Sequence, residues 1–166
     1  METDLQHLMD VLSLQMGLMA DMAGCLAAER EAVIGGEREQ LERQVARKER
    51  LVQQIQEAET RRRRQVEAVC ASLDISDSTL TLEQLADLAP PAWSQRLRTC
   101  RDELQRQLGR VRQANEANQV LVAQSLSLVQ GSLQMLGEIS PNKGTYGAGG
   151  KVTHPSQAGR LLKGAV

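Results

Sequence analysis

The chain has 166 residues, a net charge of −1 and almost no aromatic side chains: one Trp, one Tyr and no Phe. That length predicts one domain, and a core limited to Leu, Val, Met and Ala is that of a helix bundle or coiled coil rather than a sheet. The balanced charge provides no whole-chain field for nucleic acid or a membrane surface. No apolar run approaches the roughly 18 residues of a membrane span, and METDLQHLMD places no basic segment before an apolar one. Neither a transmembrane helix nor a secretory signal is expected. Cys25, Cys70 and Cys100 are far apart and odd in number, so they read as free thiols in a reducing cytosol.

Residues 3 to 34 predict the first long helix. Leu5, Leu8, Leu12, Met19, Met22, Leu26 and Val33 recur at steps of three and four, with Gln15 and Glu29 on the same seam. Thr3 is the expected N-cap, and Asp4 and Asp10 lie near the positive end of the helix dipole. Met9, Met16, Met19 and Met22 fit a flexible core filling or a surface adaptable to varied helices. Gly35-Gly36 predicts a tight turn and an antiparallel partner.

That partner runs over about 37–72. Its seam is Leu41, Val45, Val52, Ile55, Val66, Val69 and Leu73, interrupted by Lys48, Glu59 and Arg62. The mixed charges at helical spacing read as a solvated face with local pairs such as Glu39–Arg43. The run Arg61–Arg64 points to all sides of a helix, and without interleaved aromatics it supports no nucleic-acid site. Thr81 and Gln84 have the spacing of a capping box, which predicts a short helix over 82–88. Pro90-Pro91 ends it, and Pro91 suits the first turn of the next helix. Trp93 is expected to staple that helix to a neighbour.

The last helix is predicted over 91–139, roughly 70 Å at 1.5 Å per residue. Its seam is Leu97, Leu104, Leu108, Val111, Val122, Val129, Leu136 and Ile139, with Asn115 and Asn118 in the middle. Two asparagines three apart share one face. They form either a polar layer that sets register or a pair of amides offered to a partner. From Val120 to Leu136 the apolar residues wrap most of the circumference. Such a helix is surrounded by its own chain or keeps a surface for another protein. Residues 140–166 contain six glycines, two prolines, four basic side chains and no acidic one, and read as a flexible basic tail. The expected fold is therefore all-α: an elongated antiparallel bundle or coiled coil of three long helices and one short one over 1–139, followed by that tail.

His7 and His154, the two histidines, pair with no nucleophile or carboxylate at a spacing that supports catalysis or a metal site. No enzyme, cofactor or metal is expected.

Three features in order resemble the FlgN family of flagellar type III export chaperones. The first is CLAAEREAVIGGEREQLERQVARKERLVQQI at 25–55. The second is Asn115-x-x-Asn118-x-x-Leu121-Val122, and the third is Thr145-Tyr146-Gly147 with Gly149 or Gly150. The doubled Gly35-Gly36 departs from the family's commoner Gly/Asp turn. The resemblance implies a cytosolic, non-enzymatic helical protein. It implies binding to the C-terminal region of the hook–filament junction proteins FlgK and FlgL, which are kept unassembled and delivered to the export apparatus. It also puts the client contacts toward the end of the last helix and beyond. Combined with the apolar run, this selects Asn115, Asn118, Val122, Leu126, Val129, Leu133, Leu136 and Tyr146 as the candidate client surface of a monomer or weak homo-oligomer. The alternative is a structural coiled-coil or adaptor protein that uses the same seams to self-associate.

Overall fold

The structure, a computed structural model, describes residues 1–75 and 80–139, the last three by backbone alone. Four helices make up almost all of it: α1 (Glu2–Gly35), α2 (Arg38–Ser72), α3 (Leu82–Leu88) and α4 (Pro91–Ile139). The described residues contain no strand, in keeping with the expected all-α bundle. The chain divides into two compact units, one of residues 1–125 and a second beginning at Leu126. The Gly-rich segment 140–166 lies outside the described residues.

In the first unit α1 and α2 form an antiparallel hairpin. Gln15 reaches Glu59 while Glu29 reaches Lys48, so rising numbers on α1 meet falling numbers on α2. The turn is made by Gly36, whose φ of 67° is a left-handed conformation open to glycine at no steric cost. The Glu37 N–H bonds Ala32 O at 2.9 Å and the Gly36 N–H bonds Val33 O at 3.3 Å, the paired bonds of a Schellman ending. α2 ends the same way around Asp74, with φ 54° and Ile75 N–H on Cys70 O at 3.0 Å. Gly35 stays within α1, so one glycine of the pair makes the turn.

Two apolar clusters fill the unit. The first joins Leu5, Leu8, Met9 and Leu12 of α1 to Val66, Val69 and Cys70 of α2, Leu85 and Ala86 of α3, and Trp93, Leu97 and Cys100 of α4. The second joins Leu18, Met22, Cys25 and Leu26 to Leu51 and Ala58, with Val111 and Ala114 of α4 against them. Low residue numbers of α4 meet low numbers of α1, so these two helices run parallel. Trp93 is the expected staple: its ring lies in the first cluster, with the Arg96 guanidinium 4.4 Å from the ring centroid. Met9 and Met22 are buried and Met16 packs against the first cluster, so these three methionines fill the core.

Three expectations need correction. α1 begins at Glu2 without a side-chain cap, so Thr3 lies inside the helix. The buried line of α2 runs through Gln44, Leu51 and Ala58, whereas Val45 and Val52 are exposed. The line is turned by one residue because Leu51 fills the second cluster and the small Ala58 admits the facing helices. Finally, α1 is long and apolar enough to cross a membrane, with mean hydropathy 1.5 over an 18-residue window. Gln15 and Asp21 interrupt any continuous apolar run in this helix, but their weight is small in an average over the window. Leu8, Leu12, Leu18, Met22 and Leu26 of this helix pack into the two clusters, and a core helix meets the same criteria of length and hydropathy.

The predicted capping box is present. Gln84 N–H donates to Thr81 Oγ1 at 3.3 Å, and Thr81 N–H donates to Gln84 Oε1 at 2.9 Å. α3 is tied to α4 by Arg101–Glu83 at 2.8 Å and by Arg98–Asp87. Thr81→Ala is expected to cost about 1 kcal/mol and lower the Tm by roughly 2–4 °C, measured by thermal denaturation. Unchanged stability would mean that α3 is held by Leu85 and Ala86 alone.

Candidate functional site

The first unit carries the two asparagines. Asn118 is 4% exposed, and its Nδ2 donates to Leu26 O of α1 at 2.8 Å and to Glu29 Oε2 at 3.0 Å. Lys48 Nζ of α2 donates to the other oxygen of the same carboxylate. One polar node thus connects three helices. A carboxylate that is 5% exposed needs such partners, because burying it unpaired costs far more than the pair returns. Asn118 is committed to its own fold, so of the two readings left open by the sequence the polar layer holds for this residue. Asn115 is half-buried beside it. Asn115, Gln119, Val122 and Ala123 line an open recess with Glu29 and Lys48. Val122, expected on the seam, is exposed.

Sequence reasoning missed the node as a unit. Its signal was there: Glu29 and Gln15 stood on the α1 seam, Lys48 interrupted the α2 seam and Asn118 interrupted the α4 seam. Nothing in the linear order says that these interruptions face one another.

The second unit begins with the apolar residues Leu126, Leu128, Val129, Leu133, Met135 and Leu136. All are exposed, from 56% at Leu126 and Val129 to 73% at Leu128. Isolated exposed leucines are ordinary, whereas a continuous exposed apolar series on a helix is typical of surfaces that bind protein, membrane or ligand. Leu126, Val129, Leu133 and Leu136 follow the three-and-four spacing of one helix face. Tyr146 lies outside the described residues.

The charged face of α2 is partly paired within the helix and partly with α1. Glu59 accepts from Arg62 Nε and Nη2 at 2.8 Å each, from Arg63 Nε at 3.0 Å and from Gln15 Nε2 at 3.1 Å. Two arginines of the Arg61–Arg64 run are therefore engaged by one carboxylate. The expected Glu39–Arg43 pair forms at 3.8 Å in solvent, where it adds little.

The Arg62 hydrogen bonds, against the opposing cost of burial and with help from Arg63 and Gln15, lower the Glu59 pKa from 4.5 to about 2. A carboxylate with a lowered folded pKa stabilises the fold above pH 4.5 and loses that contribution as pH falls from there through about 2. Glu59→Gln is expected to flatten this part of the acid-unfolding profile. After solvent screening the effect is under about 1 kcal/mol, measured by urea unfolding across that window. A wild-type and variant difference that does not change with pH would refute the assignment.

The chain belongs to the FlgN family: the family described as FlgN protein matches residues 1–154. This is a family of flagellar export chaperones, and enzymatic activity is not known in it. Neither the curated proteins nor the solved structures provide a match to the chain.

Proposed function

We propose that the chain is a cytosolic export chaperone for hook–filament junction proteins of the FlgK and FlgL type. It binds the amphipathic C-terminal helical region of these clients, keeps them from assembling early and delivers them to the flagellar export apparatus. The observation that carries this reading is the run of exposed apolar side chains from Leu126 to Leu136. An amphipathic client helix laid on Leu126, Val129, Leu133 and Leu136 removes apolar area from water on both partners. In the first unit, Asn115 and Val122 are separately exposed enough for contact, while Asn118 is not. Tyr146 is included as a further contact because of its place in the Thr-Tyr-Gly motif. Ordering both partners on binding takes back part of the interaction free energy, which keeps the complex reversible, as export requires.

The test is titration of the purified protein with a peptide from the C-terminal helical region of FlgK or FlgL, with hydrogen exchange followed over residues 110–166. One-to-one saturable binding with new protection from Leu126 onward supports the proposal. An absence of binding, with a concentration-dependent homo-oligomer already protecting that run, favours the self-associating coiled coil instead.

A further inference from the structure

Every residue from 126 to 136 is exposed, yet the apolar ones do not share one face. At about 100° per residue, Leu126, Val129, Leu133 and Leu136 form one stripe. Leu128 and Met135, 73% and 67% exposed, form a second, turned from the first by about 130° around the helix axis. Ser132 lies between the stripes, and its Oγ donates to Leu128 O at 2.9 Å. Packed helices lie about 8–10 Å apart and touch along one line, so a single helix on the first stripe leaves the second in water.

The second stripe admits a close approach. Gly131 stands three residues after Leu128 and four before Met135, and a Cβ at Gly131 would meet no atom of the chain within 4 Å. The chain's own packing therefore gives no reason for a glycine inside this helix, where alanine is more favourable. A helix lying over Leu128 and Met135 gives one.

Area and charge select the occupant. Each of these exposed side chains offers on the order of 100 Å² of apolar surface. The first stripe alone thus supplies about half of the roughly 800 Å² that one partner gives to a standard stable interface, and both stripes come closer to it. No charged residue occurs from 117 to 137. The run has neither acidic groups to hold the basic 140–166 segment nor basic groups to hold an anionic surface, and it suits the uncharged faces of amphipathic helices. A two-fold contact with a second copy of the chain covers one stripe and leaves the unlike one free.

We infer that the 126–136 run receives two helices of one client, the first along Leu126, Val129, Leu133 and Leu136 and the second along Leu128 and Met135. This rests on the chaperone function proposed above and adds to it a second helical segment of the client.

The experiment uses two probes: a single-helix peptide from the C-terminal region of FlgK or FlgL, and the full-length FlgK or FlgL monomer. Leu128→Gln/Met135→Gln removes the second stripe while keeping good helix formers. The full-length client is expected to bind this variant about 30-fold or more weaker than wild type, with peptide affinity within about threefold. In the wild-type chain, oxidation of Met135 by hydrogen peroxide, read by mass spectrometry, is expected to slow about fivefold or more with the full-length client and less than about twofold with the peptide.

Normal binding of the full-length client to the variant overturns the second helix, as does a Met135 that oxidises equally fast in the complex and the free chain. Equal losses for peptide and full-length client mean that one helix touches both stripes, which overturns the inference too. Met135 already protected in a homo-oligomer of the free chain assigns the second stripe to further copies and overturns it as well. Should the variant lose helicity, the wild-type oxidation rates decide. In all these cases the chaperone proposal stands as long as the wild-type chain binds the client. A wild-type chain that binds neither probe refutes that proposal and the inference with it.

Discussion

Leu126→Asp/Leu133→Asp is expected to weaken client-peptide binding by roughly 100-fold or more while leaving the free protein as helical and as stable as wild type. Both leucines are exposed, 56% and 62%, so replacing them removes no core volume from the free chain. Exposed substitutions away from caps and cores usually change stability by no more than about 0.5 kcal/mol. In a complex the same positions are desolvated, and truncating a central apolar contact typically costs about 2 kcal/mol or more per residue. A buried carboxylate adds its own desolvation penalty to that loss. The measurement is isothermal titration alongside circular dichroism of the free variant. A variant that binds normally removes these leucines from the client surface. A variant that loses helicity makes them part of the free fold.

Leu8→Ala is expected to have the opposite profile, with a large loss of stability and no direct effect on the client surface. Leu8 is completely buried in the cluster that collects residues from all four helices. Removing a buried leucine side chain leaves a cavity and costs about 2–5 kcal/mol. For a chain of this size that corresponds to a fall in Tm of roughly 5–15 °C. Hydrogen exchange is expected to show the loss in α1, the end of α2, α3 and the start of α4 together, because the cluster is shared. A shift of under 2 °C would mean that the four helix ends are held by something other than this cluster.

The contrast between the two variants shows where periodicity is a reliable guide. Leu8, Leu97, Leu133 and Leu136 all lie on apolar spacings that predict burial, and the same pattern places the first pair in the core and the second in solvent. A three-and-four repeat records that a face is apolar. It does not record whether this chain or another covers that face.

Asn115 and Asn118 show the same limit for polar groups. Their shared face follows from their spacing, yet one is half-exposed and the other is 4% exposed. The difference comes from Leu26 O and Glu29, about ninety positions away in the chain. The Val45 and Val52 line on α2 failed for a related reason. Apolar and small residues lay on two neighbouring lines, and packing against Leu18, Met22 and Leu26 selected the one through Leu51 and Ala58.

The sequence by itself determined the elements: four helices, the glycine turn between the first two, the Thr81–Gln84 capping box and the proline start of α4. These depend on interactions within a few residues, namely backbone hydrogen bonds, caps and side-chain spacing, and are therefore written locally. The three motifs on which the resemblance to the FlgN family rests are local in the same sense. The tertiary structure alone decided which apolar faces meet, that Glu29, Lys48 and Asn118 share one node, and that the leucines from Leu126 onward remain uncovered. Those outcomes depend on which distant groups compete for the same buried space, and that competition is settled only when the helices pack.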